Sequence, residues 1–135
     1  MKKILIVEDD EDLSRLIRTR LVSAGFDALA VPDALWGVQQ LNEYKPDLVI
    51  LDLLLPAGGG LTVLQRLKTS VYTTHIPVLV ISGMGPEGDP EYFKQIENMG
   101  VDGFIKKPFD GKQLAVHVRR ILGEQVSDDP VKDPV

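Results

Sequence analysis

Five polar residues have the types and positions needed for chemistry on a phosphoryl group. Each follows or interrupts an apolar run, and they are Glu8, Asp9, Asp52, Ser82 and Lys107. Carboxylates that lie close together repel one another, and a hard divalent cation relieves that repulsion. Mg²⁺ fits such a group because it uses few protein carboxylates and keeps water molecules that a phosphate oxygen can replace. The hydroxyl would then donate a hydrogen bond to the phosphate, and the amine would neutralise its charge.

Asp52 is the most informative of these residues. It stands between the apolar segments Leu48–Leu51 and Leu53–Leu55, where an acid buried without a partner would cost several kcal/mol. A cap on the following segment, or an ion pair with Lys107, would also satisfy it. We favour a metal site because it accounts for the neighbouring acids as well.

The other residues also have plain structural interpretations. Glu8 and Asp9 begin the acidic run EDDED, whose last three members favour the N-terminus of a helix. Ser82 has an alternative role as the end of a strand, and Lys107 as an exposed loop lysine. The Lys107–Pro108 bond is a candidate for the cis form, which would aim the amine inward.

Alternating hydrophobic periods predict the elements that position these residues. The apolar runs predict strands over Lys3–Glu8, Asp27–Val31, Leu48–Leu51, Pro77–Ser82 and Gly103–Lys106. A helix is predicted after each strand, the third over Gly60–Thr69, with boundaries marked by Gly25, Asp33, Pro46, Asp89, Gly100, Asp110 and Gly123. The runs LVIL and VLVI are apolar throughout, as buried parallel strands are. Sites in such sheets lie beyond the carboxyl ends of the strands, where all five polar residues fall.

The composition excludes several classes of function. The chain has 135 residues, enough for one domain, and no cysteine, which excludes disulfides and thiolate sites. A net charge of −5 without a basic face argues against nucleic-acid binding. We expect a cytoplasmic protein without membrane contact, because no signal peptide or long apolar run is present. We also expect a domain over residues 1–123, followed over 124–135 by a disordered acidic tail or a truncated linker.

Four motifs resemble those of a known family. VEDD, LVILDLLLP, PVLVISG and GVDGFIKKPF are similar, in order and spacing, to the receiver domain of bacterial two-component response regulators, of the chemotaxis-receiver type. The resemblance covers residues 2 to about 123. It implies an α/β, flavodoxin-like fold: a five-stranded parallel sheet of order 2-1-3-4-5 with five helices on both faces.

The resemblance also implies a role for each acid. Asp52 would accept a phosphoryl group from a sensor histidine kinase or a histidine phosphotransfer protein. Asp9 would bind Mg²⁺ directly and Glu8 mainly through water. Asp52 and the backbone carbonyl of Leu54 would supply further ligands.

Further roles concern the phosphorylated state. Ser82 and Lys107 would bind the phosphoryl group, and Phe104 would turn inward as Ser82 moves, unless it is a plain core aromatic. Leu54 and Met84 would flank the path of the hydrolytic water, where polar residues often stand. The stretch GMGPEGDP after Ser82 is longer than usual in the family.

The implied function is a phosphorylation-activated signalling switch. It would act on a downstream target protein through the fourth helix, fifth strand and fifth helix, as a monomer or a phosphorylation-dependent dimer. It would not be an enzyme beyond catalysing its own phosphorylation and dephosphorylation. Trp36, on the second helix, is expected to pack rather than to function.

Three other functions agree less well with the sequence. An aspartate-nucleophile phosphatase typically has a second acid two residues after the nucleophile, where this chain has Leu54. Flavin binding needs a donor-rich loop after the first strand, and EDDED would repel a phosphate. A degenerate receiver that acts as a protein-binding scaffold is disfavoured by the intact set of site residues.

Overall fold

Strands and helices alternate along the part of the chain that the computed structural model describes, residues 1–124. The strands are β1 (Lys3–Val7), β2 (Asp27–Val31), β3 (Leu48–Asp52), β4 (Val78–Ser82) and β5 (Gly103–Lys106). The α-helices are α1 (Glu11–Ser23), α2 (Ala34–Glu43), α3 (Gly59–Thr69), α4 (Pro90–Met99) and α5 (Gly111–Ile121). A 3₁₀ turn over Pro56–Gly58 precedes α3.

The strands pair in parallel to form one sheet of order β2-β1-β3-β4-β5. This confirms the α/β, flavodoxin-like fold class and the order 2-1-3-4-5. β3 and β4 are buried at every position, as their uninterrupted apolar sequences predicted. Asp52 pairs with Ile81 and Ser82 with Lys106, so the ends of β3, β4 and β5 lie side by side.

Helices cover both faces of the sheet because neighbouring residues of each strand point to opposite sides. Leu5 and Val7 of β1 belong to a core cluster that contains residues of α2, α3 and α4. Ile4 and Ile6 belong to a second cluster that contains residues of α1 and α5. The sheet is therefore the middle layer of three, and its carboxyl edge remains open for a site.

The helix starts follow the predicted capping residues closely. Asp33, Asp89 and Asp110 each accept a hydrogen bond from the backbone N–H three residues later. Strand limits differ from prediction by one residue: Glu8 and Pro77 lie just outside β1 and β4, whereas Asp52 is the last residue of β3.

The expectation for Trp36 was wrong. This side chain is 54% exposed, because the buried positions of α2 are Gly37 and Leu41 and the indole lies on another side of the helix.

Within residues 1–124, no helix is both long and apolar enough to span a membrane. The expected disordered tail over 124–135 lies, apart from Glu124, outside the described residues.

Candidate functional site

The five predicted site residues meet at the carboxyl edge of the sheet. Glu8 and Asp9 follow β1, Asp52 and Ser82 end β3 and β4, and Lys107 follows β5. Glu8, Asp52 and Ser82 are buried, with exposed fractions of 1%, 3% and 0%. Asp9 is exposed and Lys107 is half-buried, so the site opens to solvent on one side.

The three acids form a group suited to a hard cation. One carboxylate oxygen from each of Glu8, Asp9 and Asp52 lies within 4.8 Å of the other two. Oxygen ligands with this charge match the preference of Mg²⁺, and two of the three acids are shielded from water. The donor set therefore fits the predicted metal.

Lys107 lies between the two buried acids. Its ammonium is 2.6 Å from Oε1 of Glu8 and 3.3 Å from Oδ2 of Asp52. Burial acts to lower the pKa of Lys107, but the hydrogen bond that its ammonium donates to Glu8 and the charges of both acids outweigh it and raise that pKa. The ion pair considered for Asp52 from the sequence is therefore present, within the same cluster as the candidate metal ligands. The Lys107–Pro108 bond is cis.

Glu8 has the most perturbed carboxyl group of the site. Burial raises its pKa from 4.5 to about 7, and the charge of Asp52 acts in the same direction. Hydrogen bonds from Lys107 and from the backbone N–H of Asp10, the latter 3.1 Å from Oε2, oppose this shift only in part. Glu8 therefore holds a proton near neutral pH more readily than an ordinary glutamate does.

The Asp52 carboxylate is fixed by one bond at each oxygen. Oδ1 accepts a hydrogen bond from the backbone N–H of Leu54 at 3.0 Å, and Oδ2 faces Lys107. The Leu54 side chain is 47% exposed beside this carboxylate. Two predictions for Leu54 stay predictions: that its backbone carbonyl is a Mg²⁺ ligand, and that its side chain flanks the path of the hydrolytic water.

Ser82 ends β4, the strand that pairs with β3 at Asp52, and a loop follows it. The Ser82 Oγ accepts a hydrogen bond from the Met84 N–H at 3.1 Å, so its own proton is available to another acceptor. The Met84 side chain is half-buried against the core, and a Cβ added at Gly88 would overlap it. The loop closes with a bond from the Gly88 N–H to the Gly85 carbonyl at 3.0 Å.

Phe104 lies on β5 with its ring half-buried. The ring meets Phe93 of α4 edge to face, at 5.4 Å between centroids. This contact joins β5 to α4, but it also suits the core role that the sequence left open. The switch role stays a prediction.

Two residues near Asp52 were not singled out from the sequence. A Cβ on Gly60 would stand 2.5 Å from the Leu53 carbonyl oxygen, so α3 starts against the backbone of the β3–α3 turn and needs glycine there. The run of glycines at 58–60 was the available signal. The Tyr92 hydroxyl donates a hydrogen bond of 3.2 Å to the same carbonyl. A contact across 39 residues leaves no local pattern that predicts it.

The fold and the group of three acids agree with a known family of domains. A family model described as the response regulator receiver domain matches residues 4–119. The chain therefore belongs to the response regulator receiver domain family.

One relative is the DNA-binding dual master transcriptional regulator RpaA of Synechocystis sp. It is 37% identical over 122 residues, which cover 90% of this chain and 49% of that protein. The chain thus spans about half the length of the curated relatives that it matches.

Solved structures show the same fold. A sensor protein from Polaromonas sp. JS666 superposes with a TM-score of 0.81 at 29% identity, over 90% of this chain and 96% of that one. The receiver domain of sensor histidine kinase PA1611 from Pseudomonas aeruginosa PAO1 superposes with a TM-score of 0.81 at 24% identity, over 91% and 98% of the two chains. That domain carries a magnesium ion in its active-site cleft.

Proposed function

We propose that this protein is a phosphorylation-activated switch of a two-component system, with Asp52 as phosphoacceptor and Mg²⁺ as cofactor. One observation carries the proposal. A buried aspartate ends β3 with its carboxylate next to the Lys107 ammonium, in a group of three acids whose oxygens lie within 4.8 Å of one another. A sensor histidine kinase or a histidine phosphotransfer protein, inside the cell, is the proposed donor.

The proposed reaction is phosphoryl transfer to a carboxylate. An Asp52 oxygen forms a bond to phosphorus as the bond from phosphorus to the donor histidine nitrogen breaks. The imidazole leaves with that electron pair and takes up a proton, and an acyl phosphate remains on Asp52. Asp9, Asp52 and the Leu54 carbonyl would hold Mg²⁺ directly and Glu8 mainly through water, and the bound ion would supply positive charge for the phosphoryl oxygens.

Lys107 and Ser82 are proposed to recognise the new phosphoryl group. Transfer removes the negative charge of the Asp52 carboxylate and places phosphoryl oxygens nearby, so the Lys107 ammonium gains a stronger partner. The Ser82 hydroxyl can donate to another of these oxygens, because its proton is not used by the bond from Met84. Contacts made only in the phosphorylated state are what a two-state switch requires.

The proposed output is a changed surface on α4, β5 and α5. Phe104 lies in β5 against Phe93 of α4, on the path from Ser82 to that surface. A downstream target protein would read the surface, either on a monomer or on a dimer formed after phosphorylation. We propose that this chain contacts neither nucleic acid nor a membrane.

The test is Mg²⁺-dependent phosphorylation of the purified protein by acetyl phosphate, followed by intact mass. We expect a gain of one phosphoryl group in the wild type, no gain in EDTA, and no gain in Asp52→Asn. Asp47→Asn, which changes an aspartate outside the cluster, is the matched control and should label normally. A folded wild type that never gains mass would favour the scaffold function, and labelling of Asp52→Asn would overturn the acceptor assignment.

A further inference from the structure

One peptide group connects the phosphoacceptor to the fourth helix. The N–H of Leu54 donates to Asp52 Oδ1 at 3.0 Å, and the carbonyl of Leu53 accepts from the Tyr92 hydroxyl at 3.2 Å. That N–H and that carbonyl belong to the same peptide unit, because Leu53 and Leu54 are adjacent. Hydrogen bonds at the two ends of one peptide polarise it together, so each strengthens the other.

Tyr92 is held in place from several sides. It lies in the first turn of α4, where its backbone N–H donates to the capping carboxylate of Asp89 at 3.1 Å. Its ring is half-buried and meets Phe93 edge to face, and Phe93 in turn meets Phe104 of β5. A displacement of the Tyr92 hydroxyl therefore acts on α4 and on the aromatic contact with β5.

The charge of Asp52 reaches Tyr92 as well. Burial is the main cause that raises the pKa of the Tyr92 hydroxyl, and the negative charges of Asp52 and Asp89 raise it further. The hydroxyl therefore stays protonated at neutral pH and can donate its hydrogen bond.

We propose that Tyr92 is a positioning residue that couples the state of Asp52 to α4 through the Leu53–Leu54 peptide. The coupling deepens the proposed phosphorylation switch and, in its second experiment, rests on it. The path differs from the one through Ser82 and Phe104, because it starts at the resting contact of Asp52 Oδ1 rather than at the phosphoryl group.

The direction of the effect follows from the charge on Asp52. Whichever oxygen bonds to phosphorus, the carboxylate becomes a neutral acyl group, and Oδ1 becomes a weaker acceptor for the Leu54 N–H. The peptide is then less polarised, and the Leu53 carbonyl attracts the Tyr92 hydroxyl less. A bond of 3.2 Å is already long for an O–H···O contact, so a small displacement is enough to break it.

The coupling from Asp52 to Tyr92 through the Leu53–Leu54 peptide is called the peptide relay below. The first experiment tests this relay without any phosphoryl chemistry. Tyr92→Phe removes only the hydroxyl, and Tyr72→Phe, at a 79% exposed tyrosine between α3 and β4, is the matched control. In Tyr92→Phe we expect the Leu54 amide proton to move upfield in the NMR spectrum and to exchange faster with solvent. Tyr72→Phe should leave both unchanged. An unchanged Leu54 amide in a folded Tyr92→Phe protein would overturn the relay.

The second experiment measures the coupling to α4 with Mg²⁺ and beryllofluoride, a phosphoryl mimic. In the wild type and in Tyr72→Phe, amide shifts should extend from Asp52 into Pro90–Met99. In Tyr92→Phe, the shifts at Asp52 and Lys107 should remain, and those of α4 should fall by about half or more. Full α4 shifts in Tyr92→Phe would overturn the coupling. If beryllofluoride shifts no site residue in any variant, the proposed function fails, and the Leu54 result alone decides for or against the relay.

Discussion

The ammonium of Lys107 lies closer to Glu8, at 2.6 Å, than to the proposed phosphoacceptor Asp52, at 3.3 Å. The resting site is thus a three-charge cluster in which one cation serves two buried acids. Removing one member of a buried charged cluster costs more than the pairing itself contributes, because a partner is left uncompensated. In this cluster Lys107 is the member whose loss leaves two acids without a cation.

The first prediction concerns Lys107→Met, which keeps the apolar stem and removes the charge. In EDTA at about pH 8, we expect the free energy of unfolding to fall by about 3 kcal/mol, as for other broken buried ion pairs. Near about pH 6 the loss should be smaller, because Glu8 then takes up a proton and one acid becomes neutral. Urea unfolding at the two pH values measures both effects.

Lys106→Met is the matched control for this change. Lys106 makes an exposed ion pair with Glu87 at 3.0 Å, and exposed pairs contribute little to stability. We therefore expect a small change that does not depend on pH in this range. Equal losses in the two variants would contradict the role given to the buried cluster.

The second prediction concerns the pH dependence caused by Glu8. Its pKa is about 7 in the folded protein and 4.5 as an ordinary glutamate, so the folded state binds a proton that the unfolded chain has released between these values. The free energy of unfolding of the metal-free protein should therefore decrease as pH rises through this window. Urea unfolding in EDTA across the window measures it, and Glu8→Gln should abolish this component.

The same proton competes with a divalent cation. We expect the affinity for Mg²⁺ to rise with pH and to level off above the pKa of Glu8, with up to about tenfold per pH unit well below it. Calorimetric titration in two buffers of different ionisation enthalpy counts the protons released. A wild-type affinity that is flat across this pH range would show that Glu8 does not need to ionise for the metal to bind.

The fold and the location of the site were predictable from sequence, because apolar periodicity reports which faces are buried. Uninterrupted runs around Asp52 and before Ser82 indicated buried parallel strands, and their ends indicated the site edge. Periodicity does not report which side chains pair there. The preference of Lys107 for Glu8 depends on the backbone that follows β5 and β1. The Tyr92 contact and the exposure of Trp36 depend on how α4 and α2 sit on the sheet. Local sequence patterns encode neither.

The third prediction concerns Gly60→Ala. The added methyl group would stand 2.5 Å from the Leu53 carbonyl oxygen, and backbone on both sides limits relaxation. We expect destabilisation of about 2 kcal/mol, within the usual range for overpacking. Gly83→Ala, where an added Cβ meets nothing within 4 Å, is the control and should change stability little. Similar urea midpoints for both variants would show that the backbone of the β3–α3 turn can shift at little cost in free energy.

The fourth prediction concerns the output surface. On addition of beryllofluoride with Mg²⁺, amide shifts in the wild type should concentrate in residues 82–110, which contain Ser82, α4, Phe104 and Lys107. These groups link the site to the proposed partner surface, whereas α1 and α2 do not. Shifts confined to α1 and α2 would argue for a different output face.

The last prediction concerns the lifetime of the acyl phosphate. Hydrolysis needs a water molecule held in line behind phosphorus by a group that can orient it. Leu54, 47% exposed beside Asp52, and Met84, half-buried after Ser82, offer no side-chain hydrogen bond strong enough to do so. Replacing Leu54 by Asn and Met84 by Glu together should speed the loss of phosphate by ~10-fold or more, equivalent to about 1.4 kcal/mol of barrier. The decay of phosphorylated protein after donor removal, at fixed Mg²⁺, measures it.

Leu54 and Met84 have different surroundings, so we expect them to affect the rate of phosphate loss to different extents. Leu54 faces solvent next to the acceptor, whereas the Met84 side chain packs on the core beside Gly88. We therefore expect Leu54→Asn alone to give most of the acceleration and Met84→Glu alone to give less. Leu35→Asn, at a 75% exposed leucine of α2, makes the same chemical change away from the acceptor and should leave the decay rate unchanged. If Leu54→Asn decays no faster than Leu35→Asn, the side chain after Asp52 does not control the approach of water.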